Sequence, residues 1–395
     1  MADPILQSNF SAAGGRGGVP PRVRALPLPR LALAFLLLPT IAWFEACSWF
    51  KAPGKHLTDA ERRRIAVQIR ATIEETGGEQ AWVKTPPAAP FPPSKADAAI
   101  EVVVTSDVFR TVLAALERQA KARGLQVKTR MAASAAGRRK ADVRLSQKGG
   151  PVGRWLLREV PVICRAAIII DDLGQDSGAA QKLLALPYPI TFSVLPYLAH
   201  STWTAEQAHR AGREVMLHLP MEPDSTAQPG RGEIRVGMRP AEIARVIEED
   251  LGSVPHVVGV NNHMGSRATT DARLMAAVMR VLAERRLFFI DSRTTPASVA
   301  LDLARREGLP TFYRSVFLDD IETVPYTLGQ LREFRREIQE HGVALAIGHP
   351  YASTLAALAI FLPELERDDI QLLPGSQLVR LPEVARLWPP RAATH

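Results

Sequence analysis

From about Val162 onward, the 395-residue chain alternates short β-branched or aliphatic stretches with longer helical stretches. Seven strands are predicted, at residues 167–170, 190–194, 214–217, 257–260, 287–290, 311–313 with 316–318, and 343–347. Helical stretches follow nearly all of them, at residues 177–186, 202–211, 240–251, 271–285, 298–307 and 328–341. This order favours a parallel α/β barrel or a close relative of one, with a doubly wound open sheet as the alternative fold.

The first of these strands delivers two adjacent carboxylates into a glycine-containing turn. Its sequence is AIIIDDLG, and the carboxylates are Asp171 and Asp172. Two neighbouring anions at the mouth of a buried strand repel each other unless a metal ion or a shared proton offsets the repulsion. The pair is therefore a candidate site, and the alternative is that one carboxylate caps the following helix while the other is solvated.

Polar side chains follow most of the other predicted strands as well. They are His218 and Glu222 after the third strand, Asn262 and His263 after the fourth, Asp291, Ser292 and Arg293 after the fifth, Asp319 and Asp320 after the sixth, and His349 after the seventh. In a barrel, the carboxyl ends of all strands meet at one face, where the active site is built. Each residue alone is compatible with a helix cap or a surface position, but their joint placement predicts one shared site.

The residue types suggest metal-dependent hydrolysis. Imidazole and carboxylate ligands suit a divalent ion, most simply zinc, which keeps one coordination position open for water in catalytic sites. We assign Asp172, His218 and His263 as the ligands. Zinc lowers the pKa of its water to about 7, so Asp171 fits the role of proton acceptor and His349 that of the acid that protonates a leaving amine.

The other polar residues are given supporting roles. Arg293 with Asp291 would hold the base, with surface pairing as the alternative. Asp319 and Asp320 would bind substrate hydroxyls or cap the next helix, and both interpretations stay open.

Six segments together carry a resemblance to a known family. They are IIIDDLG at 168–174, HLPMEP at 218–223, GVNNHMGS at 259–266, FIDSRT at 289–294, FLDD at 317–320 and GHPY at 348–351. Over about residues 166–379 the chain resembles the divergent polysaccharide deacetylases, relatives of the NodB-type carbohydrate esterases. The resemblance implies a distorted, NodB-like (β/α) barrel of about seven strands and hydrolysis of N-acetyl groups on a sugar polymer. Asp171 matches the family's general base, Asp172 its metal-binding aspartate and His349 its late catalytic histidine.

One motif departs from the wider superfamily, whose members take two ligand histidines from one H-x-x-x-H segment. Here the spacing is His218-x-x-x-Glu222. Either Glu222 is itself a ligand, which would favour oxygen-preferring metals, or His263 replaces the missing imidazole. We favour His263, with Glu222, Asn262 and Ser292 orienting a ligand or the substrate. A barrel that kept the pocket and lost the activity, and that binds envelope glycan or a protein partner, is the main alternative; a glycosidase or phosphodiesterase on a similar barrel is another.

The start of the chain predicts export. A leader rich in Gly, Pro and Arg precedes 14 uncharged residues, LALAFLLLPTIAWF at 31–44, and together they make up most of residues 1–50. This length fits the apolar region of a signal peptide and falls short of the about 20 residues of a membrane span. A periplasmic location, or attachment to the inner membrane facing the periplasm, is expected. Whether the segment is cleaved, lipidated at Cys47 or retained as an anchor stays open.

Between this segment and the barrel, the sequence predicts a helix and a Pro-rich linker at 51–97 and a small α+β accessory module at 98–161, before the barrel at 162–390. Within the module, residues 132–140 have the composition of a mobile basic loop. The module has no histidine and no carboxylate cluster. Its basic surface would touch anionic envelope polymers or lipid headgroups, or be simply solvated.

The formal net charge of +8 is divided unevenly between the two halves. Residues 1–165 hold 26 Lys and Arg against 13 Asp and Glu, whereas residues 166–395 hold 23 against 28. A nucleic-acid-binding enzyme would need its basic surface on the half that carries the polar cluster. We therefore predict an N-acetylated polysaccharide as the partner, with membrane attachment through the N-terminal segment and no nucleic acid.

Overall fold

The computed structural model describes residues 57–84, 98–148 and 150–387. The predicted leader with its apolar segment and the Pro-rich run at 86–93 lie outside the described residues. Within the described ranges, no helix has both the length and the apolar character needed to cross a membrane.

The first part of the structure is a five-stranded sheet with two helices on one face. Its elements are α1 Asp59–Gly77, β1 Ala81–Val83, β2 Ala99–Thr105, α2 Phe109–Ala122, β3 Gln126–Ala133, β4 Arg139–Gln147 and β5 Gly150–Val160. The strand order is β1-β2-β5-β4-β3, in which β2 and β5 are parallel and the other neighbours antiparallel. Helix α1 begins at a capping box between Thr58 and Glu61. Its buried Ile69 and Ile73, four residues apart on one side of the helix, pack into the core beneath the sheet.

Three details of this layer differ from the predicted organisation. Helix α1 and β1, which the pattern grouped with the linker, belong to the layer, because β1 pairs with β2. Strand β5 was not predicted. The stretch at 132–140, expected to be a mobile loop throughout, includes the last two residues of β3 and the first two of β4, and the turn between them is limited to 134–138. Gly137, at φ +72°, provides the left-handed residue that so tight a turn requires.

The second part is a parallel sheet flanked by helices. Its strands are β6 Cys164–Leu173, β7 Thr191–Val194, β8 Val215–Met221, β9 Val257–Met264, β10 Phe288–Asp291, β11 Thr311–Tyr313, β12 Val316–Phe317, β13 Val343–Gly348 and β14 Ile370–Leu372. Its helices are α3 Ser177–Ala185, α4 Ser201–Arg210, α5 Pro240–Ser253, α6 Ala272–Glu284, α7 Ala300–Arg306, α8 Val324–His341, α9 Ala352–Arg367, α10 Gly375–Leu378 and α11 Pro382–Leu387. The order β11-β10-β9-β8-β7-β6-β13-β12 confirms the predicted distorted (β/α) barrel behind a small α+β module. Strand β14, which was not predicted, pairs with the start of β6.

The barrel closes through one short segment, residues 311–317, which we call the seam segment. Its first half, β11, pairs with β10, and its second half, β12, pairs with β13. The change of partner falls between Arg314, whose N–H donates to the carbonyl of Asp291 at 3.0 Å, and Ser315, whose N–H donates to that of Leu345 at 2.8 Å. A single stretch of chain therefore bridges the two edges of the sheet, which accounts for the distortion of the barrel.

Apolar residues on both faces of the strands build two cores. On β6, Ile168 and Ile170 pack against the helices, whereas Ala167 and Ile169 face the barrel interior with residues such as Phe288. Strands buried on both faces read as continuous apolar runs, which is why the barrel strands stood out in the sequence.

The five-stranded layer contacts the barrel at the amino ends of the barrel strands. Lys84 Nζ lies 2.7 Å from a carboxylate oxygen of Asp369, just before β14, and donates to the carbonyl of Glu366 at 2.7 Å. Arg158 of β5 binds the same aspartate with both guanidinium nitrogens, and the buried Arg165 donates to the carbonyl of Glu79. These charge-assisted bonds fix the layer at the end of the barrel away from the carboxyl ends of its strands.

Candidate metal centre and active site

A bulge at the end of β6 brings both carboxylates of the DD pair to the barrel mouth. In a regular strand, neighbouring side chains point to opposite faces. Here β6 advances three residues, from Ile170 to Leu173, while β7 advances two, and Asp172 adopts a left-handed conformation at φ +55°. A bulge re-aims side chains in this way. Asp171 therefore continues the interior face, and Asp172 turns towards the same opening.

Three donor atoms from three strands meet at this opening. Asp172 Oδ1 lies 3.1 Å from His218 Nε2 of β8 and 3.0 Å from His263 Nδ1 of β9, and the two imidazole nitrogens lie 3.1 Å apart. The structure thus places the three predicted ligands, and no other predicted residue, in one group that could hold a metal ion.

A buried asparagine, Asn261, sets the hydrogen-bonding state of this group. Its Nδ2 donates to both oxygens of Asp171 at 2.8 and 3.1 Å, so its Oδ1 faces the other way. That oxygen accepts from Ser193 Oγ at 2.7 Å and lies 2.9 Å from His218 Nδ1. Since an amide oxygen only accepts, Nδ1 of His218 must carry the proton. In the neutral imidazole, the lone pair is then on Nε2, facing Asp172 and His263.

The electrostatics of the opening favour a positive charge. Burial works against ionisation of Asp172, but its contacts with His218 and His263 hold its pKa well below the ordinary value. For His218, burial lowers the pKa, whereas Asp171 and Asp172 raise it, and the net shift is upward. Asp172 Oδ1 is buried and, among the described residues, has no hydrogen-bond partner of acceptable geometry. A cation bound between these buried lone pairs would balance their charge.

The donor set fits a tetrahedral zinc ion. With metal–ligand distances of 2.0–2.2 Å, neighbouring ligands in a tetrahedron lie about 3.3–3.6 Å apart. The three donors stand 3.0–3.1 Å from one another, which requires only a slight expansion. Two nitrogens and one oxygen also form a ligand set that zinc accepts.

A second group, the pair of Asp319 and His349, stands on the other side of Asp172. His349 Nδ1 lies 3.0 Å from Asp319 Oδ1, and its Nε2 points to Asp172 Oδ2 at 3.7 Å. Burial lowers the pKa of His349, but the hydrogen bond with Asp319 and the charge of Asp172 raise it to about 9. Asp319 Oδ2 accepts in addition from the His349 N–H and from Thr354 Oγ1, both at 2.6 Å. His349 is thereby held protonated and aimed at the opening, as an acid would be.

Glu222 lies in a network of its own. One of its oxygens binds Arg267 at 2.7 Å and the other accepts from the N–H of Val236 at 2.7 Å. These bonds tie the loop after β8 to the residues after β9. The structure therefore gives His263, rather than Glu222, the position next to His218.

Of the three residues predicted after β10, Ser292 lies in the site, whereas Asp291 and Arg293 lie outside it. Asp291 accepts from the N–H of Arg293 at 2.9 Å and from Ser298 Oγ at 2.8 Å, so it stabilises the turn after β10. The guanidinium of Arg293 stacks over Tyr313, 4.4 Å from the ring centre, and the structure does not bring it to Asp171. Ser292 Oγ, by contrast, accepts from Asn261 at 3.2 Å and joins the network of the site.

Asn262 and Asp320 take structural positions. Asn262 donates to the carbonyl of Met264 at 2.8 Å and accepts from the N–H of Ser292 at 2.9 Å, so it links the ends of two strands. Asp320 accepts from the hydroxyl of Tyr326 at 3.4 Å at the surface.

Two residues of this network were not predicted from the sequence. Asn261 was overlooked beside Asn262, although the two-residue period of a strand puts Asn261, and not its neighbour, on the face of His263. Arg314, in the seam segment, donates to the carbonyls of Ser292 at 2.7 Å and Arg293 at 2.8 Å. No pattern in the sequence singles it out, because it lies between two short strands.

Comparisons with known proteins identify relatives of the barrel. A family model described as divergent polysaccharide deacetylase matches residues 168–379, which confirms the resemblance seen in the sequence. An uncharacterized protein of Haemophilus influenzae is 35% identical over 216 residues, 55% of this chain and 77% of that protein. The uncharacterized protein YibQ of Escherichia coli is 36% identical over 234 residues, 59% of this chain and 73% of that protein.

A solved structure shares the fold. The crystal structure of an uncharacterized protein from Agrobacterium tumefaciens matches with a TM-score of 0.53 at 23% identity, covering 55% of this chain and 89% of that one.

Proposed function

The chain belongs to the divergent polysaccharide deacetylase family, and from this membership and the geometry of the site we propose that it is a metal-dependent hydrolase of N-acetyl groups on a cell-envelope or extracellular polysaccharide. The reaction class is hydrolysis of a carbon–nitrogen bond other than a peptide bond. One observation carries the proposal: three donor atoms from β6, β8 and β9 lie within 3.1 Å of one another, with the lone pair of His218 turned towards the other two by Asn261.

Asp172, His218 and His263 would hold the metal ion, and zinc is the ion that suits them best. When bound, a divalent ion supplies Lewis acidity to the acetamide carbonyl oxygen. The chain's own residues then have to orient the substrate and move two protons.

Asp171 is the proposed proton acceptor. Its carboxylate is buried next to the three ligands, 3.6 Å from His218 Nε2, and Asn261 holds both its oxygens in place. As water attacks the carbonyl carbon, the proton that the water loses passes to Asp171.

His349 is the proposed proton donor. The carboxylate of Asp319 on Nδ1 raises the pKa of His349 and leaves the Nε2 proton directed at the opening. As the carbon–nitrogen bond breaks, this proton passes to the departing amine, which leaves acetate and a free amino sugar.

We also propose that the protein is exported, and that it acts in the periplasm or on the outer side of the inner membrane. The support is the charge and apolar pattern of residues 1–44, which lie outside the described residues. Fractionation of cells, with cleavage followed by N-terminal sequencing, tests this part on its own. Recovery of the protein in the cytosol would contradict it.

The test of activity combines metal analysis with acetate release. The full chain is expected to bind about one zinc per molecule and to release acetate from an N-acetylated glycan, and Asp172→Ala and His218→Ala to lose both. His349→Gln should keep the zinc and lose most of the acetate release. Zinc binding without acetate release from several N-acetylated polymers would instead support a barrel that binds glycan or a protein without hydrolysing it.

A further inference from the structure

Two arginines stand beside the catalytic opening, at the carboxyl ends of β10 and β11. Arg314 belongs to the seam segment and is half-buried, whereas Arg293 follows β10 and is exposed. The guanidinium of Arg314 lies over the ring of Phe317, 4.8 Å from its centre. That of Arg293 lies over Tyr313, 4.4 Å from the ring centre. A guanidinium stacked on a ring keeps its N–H groups in its own plane, where they can still donate.

One side of the Arg314 guanidinium is occupied and the other is open. Its Nε donates to the carbonyl of Ser292 at 2.7 Å, and its Nη2 donates to that of Arg293 at 2.8 Å. These two nitrogens form one edge of the planar group, and Nη1 with Nη2 forms the next edge. Among the described residues, Nη1 has no acceptor, and no carboxylate lies at ion-pair distance from Arg314. The open edge has the geometry that binds both oxygens of a carboxylate at once.

The acids around Arg314 do not supply this partner. Burial lowers the pKa of Arg314, whereas Asp320, Asp291 and Asp171 raise it from a distance, and the net shift is downward. Each of these acids accepts hydrogen bonds from other groups. The cation is therefore partly removed from water without a counter-ion in contact, an arrangement that costs free energy. A bound anion would offset this cost.

Ser292 and Phe317 connect Arg314 to the catalytic groups. Ser292 accepts from Arg314 through its carbonyl and, through its hydroxyl, from Asn261 at 3.2 Å. The same asparagine holds the proposed proton acceptor. The ring of Phe317 meets that of His349 edge to face, with 5.3 Å between the centres. The guanidinium thus lies next to the groups proposed to move protons, on the side of the opening formed by β10 to β12.

We propose that Arg314, assisted by Arg293, binds a carboxylate of the substrate, so that the polysaccharide is acidic and carries its charge beside the N-acetyl group that is hydrolysed. That this carboxylate belongs to the substrate rests on the proposed function. The two neighbouring cations attract an anion together more strongly than either does alone. A neutral glycan would leave the open edge of Arg314 without a partner.

The test compares matched sugars for binding to the metal-free full chain, in which a metal-dependent hydrolysis does not consume them. One pair is a hyaluronan hexasaccharide and the same oligosaccharide after reduction of its carboxylates to hydroxymethyl groups, which places the charge on the neighbouring sugar. The other pair is N-acetylmuramic acid and N-acetylglucosamine, which places it on the N-acetylated sugar itself. In at least one pair, NMR titration should show that the acidic member binds at least about tenfold more tightly, because hydrogen bonds between charged groups are the strong ones.

Three variants separate this role from a structural one. Arg314→Gln should reduce the preference for the acidic member to within about threefold, and Arg293→Gln should reduce it in part. The preference is a ratio of two dissociation constants of one variant, so a loss of folded protein cancels. Among the described residues, the Arg293 side chain makes no hydrogen bond, so its replacement should leave the fold intact. Arg306→Gln, the same charge change at an exposed position of α7, should keep the full preference.

Four results would overturn the inference. They are equal binding of the two members in both pairs, binding of none of the four sugars, a preference that either Arg314→Gln or Arg293→Gln retains in full, and an equal loss of preference in Arg306→Gln. If Arg314 only braced the turn after β10, its replacement would change stability and leave the preference as it was. Acetate release by the zinc-loaded chain is measured separately, so an acidic preference without acetate release would contradict the proposed hydrolysis and leave the carboxylate site in place.

Discussion

Replacing Asn261 by leucine, which has nearly the same shape, should reduce zinc affinity without removing any ligand. The change deletes the acceptor of Ser193 Oγ and His218 Nδ1 and the donor to Asp171. Each buried polar group left without a partner costs about 1–3 kcal/mol, so the three together should lower the free energy of unfolding by about 3–9 kcal/mol. Loss of the bond that orients a ligand histidine typically weakens metal binding tenfold to a hundredfold, about 1.4–2.8 kcal/mol.

The assay is zinc competition with a chromophoric chelator, alongside urea unfolding of the metal-free protein. Asn262→Leu is the matched control, because Asn262 is also buried and bonded, to Met264 and Ser292, but touches no ligand. The control should lose stability and keep its zinc affinity within about threefold. The reasoning about the His218 tautomer would be refuted if folded Asn261→Leu bound zinc as tightly as the control does.

Three other substitutions have expected outcomes of their own. Asp319→Asn removes the main group that raises the pKa of His349 to about 9, so NMR of the metal-free protein should show the histidine titrating roughly one unit lower or more. A raised histidine pKa contributes stability below about pH 6.5, and this contribution is lost as the pH rises through 9. The variant's deficit in unfolding free energy should therefore shrink between these two pH values. A deficit that stays constant would contradict the conclusion that Asp319 raises the pKa of His349. Asp250→Asn should stabilise the protein above pH 7, because burial outweighs the contact with Tyr197 and raises the pKa of this carboxyl to about 7. The gain should be absent at pH 3, grow between pH 3.8 and 7 and reach about 4 kcal/mol at pH 8; a gain that does not vary with pH would disprove this cause. Glu222→Gln should leave zinc affinity within about threefold, because both oxygens of Glu222 are engaged by Arg267 and a backbone N–H, and a tenfold loss would place Glu222 among the ligands.

The barrel could be predicted because its strands are buried on both faces. A run such as 167–170 is apolar throughout, and helices of regular length separate it from the next run. Parallel connections then place every strand's carboxyl end on one face, so Asp172, His218, His263 and His349 were expected to meet. This prediction follows from the strand order alone and needs no knowledge of which side chains contact each other.

The missed features depend on register and on pairing. In a strand, side chains two residues apart point to the same face, so Asn261 shares the face of His263 and Asn262 does not. The same alternation turns Ser292 inward and Asp291 towards the turn. The bulge at Asp172 breaks that alternation, and such a break is visible only from the pairing of β6 with β7.

Short elements were missed for a different reason. Strand β14 has three residues, too few for a periodic pattern to register. The end of the predicted basic loop contains two arginines and a lysine, a composition typical of loops, yet β3 and β4 continue into this region because each hydrogen-bonds the other. Tertiary pairing overrides composition there.

The seam segment contains the line along which the barrel's hydrogen-bond ladder changes partner. The side chains assigned to chemistry stand on the continuous arc from β12 through β13 and β6 to β9, whereas the ladder changes partner between Arg314 and Ser315. Separation of the two edges at that line would admit solvent to the interior without parting the three ligands. We therefore expect local opening of the ladder at the seam segment while the strands that carry the catalytic side chains stay paired. In hydrogen exchange, deuterium uptake should begin at the amides of Arg314 and Ser315.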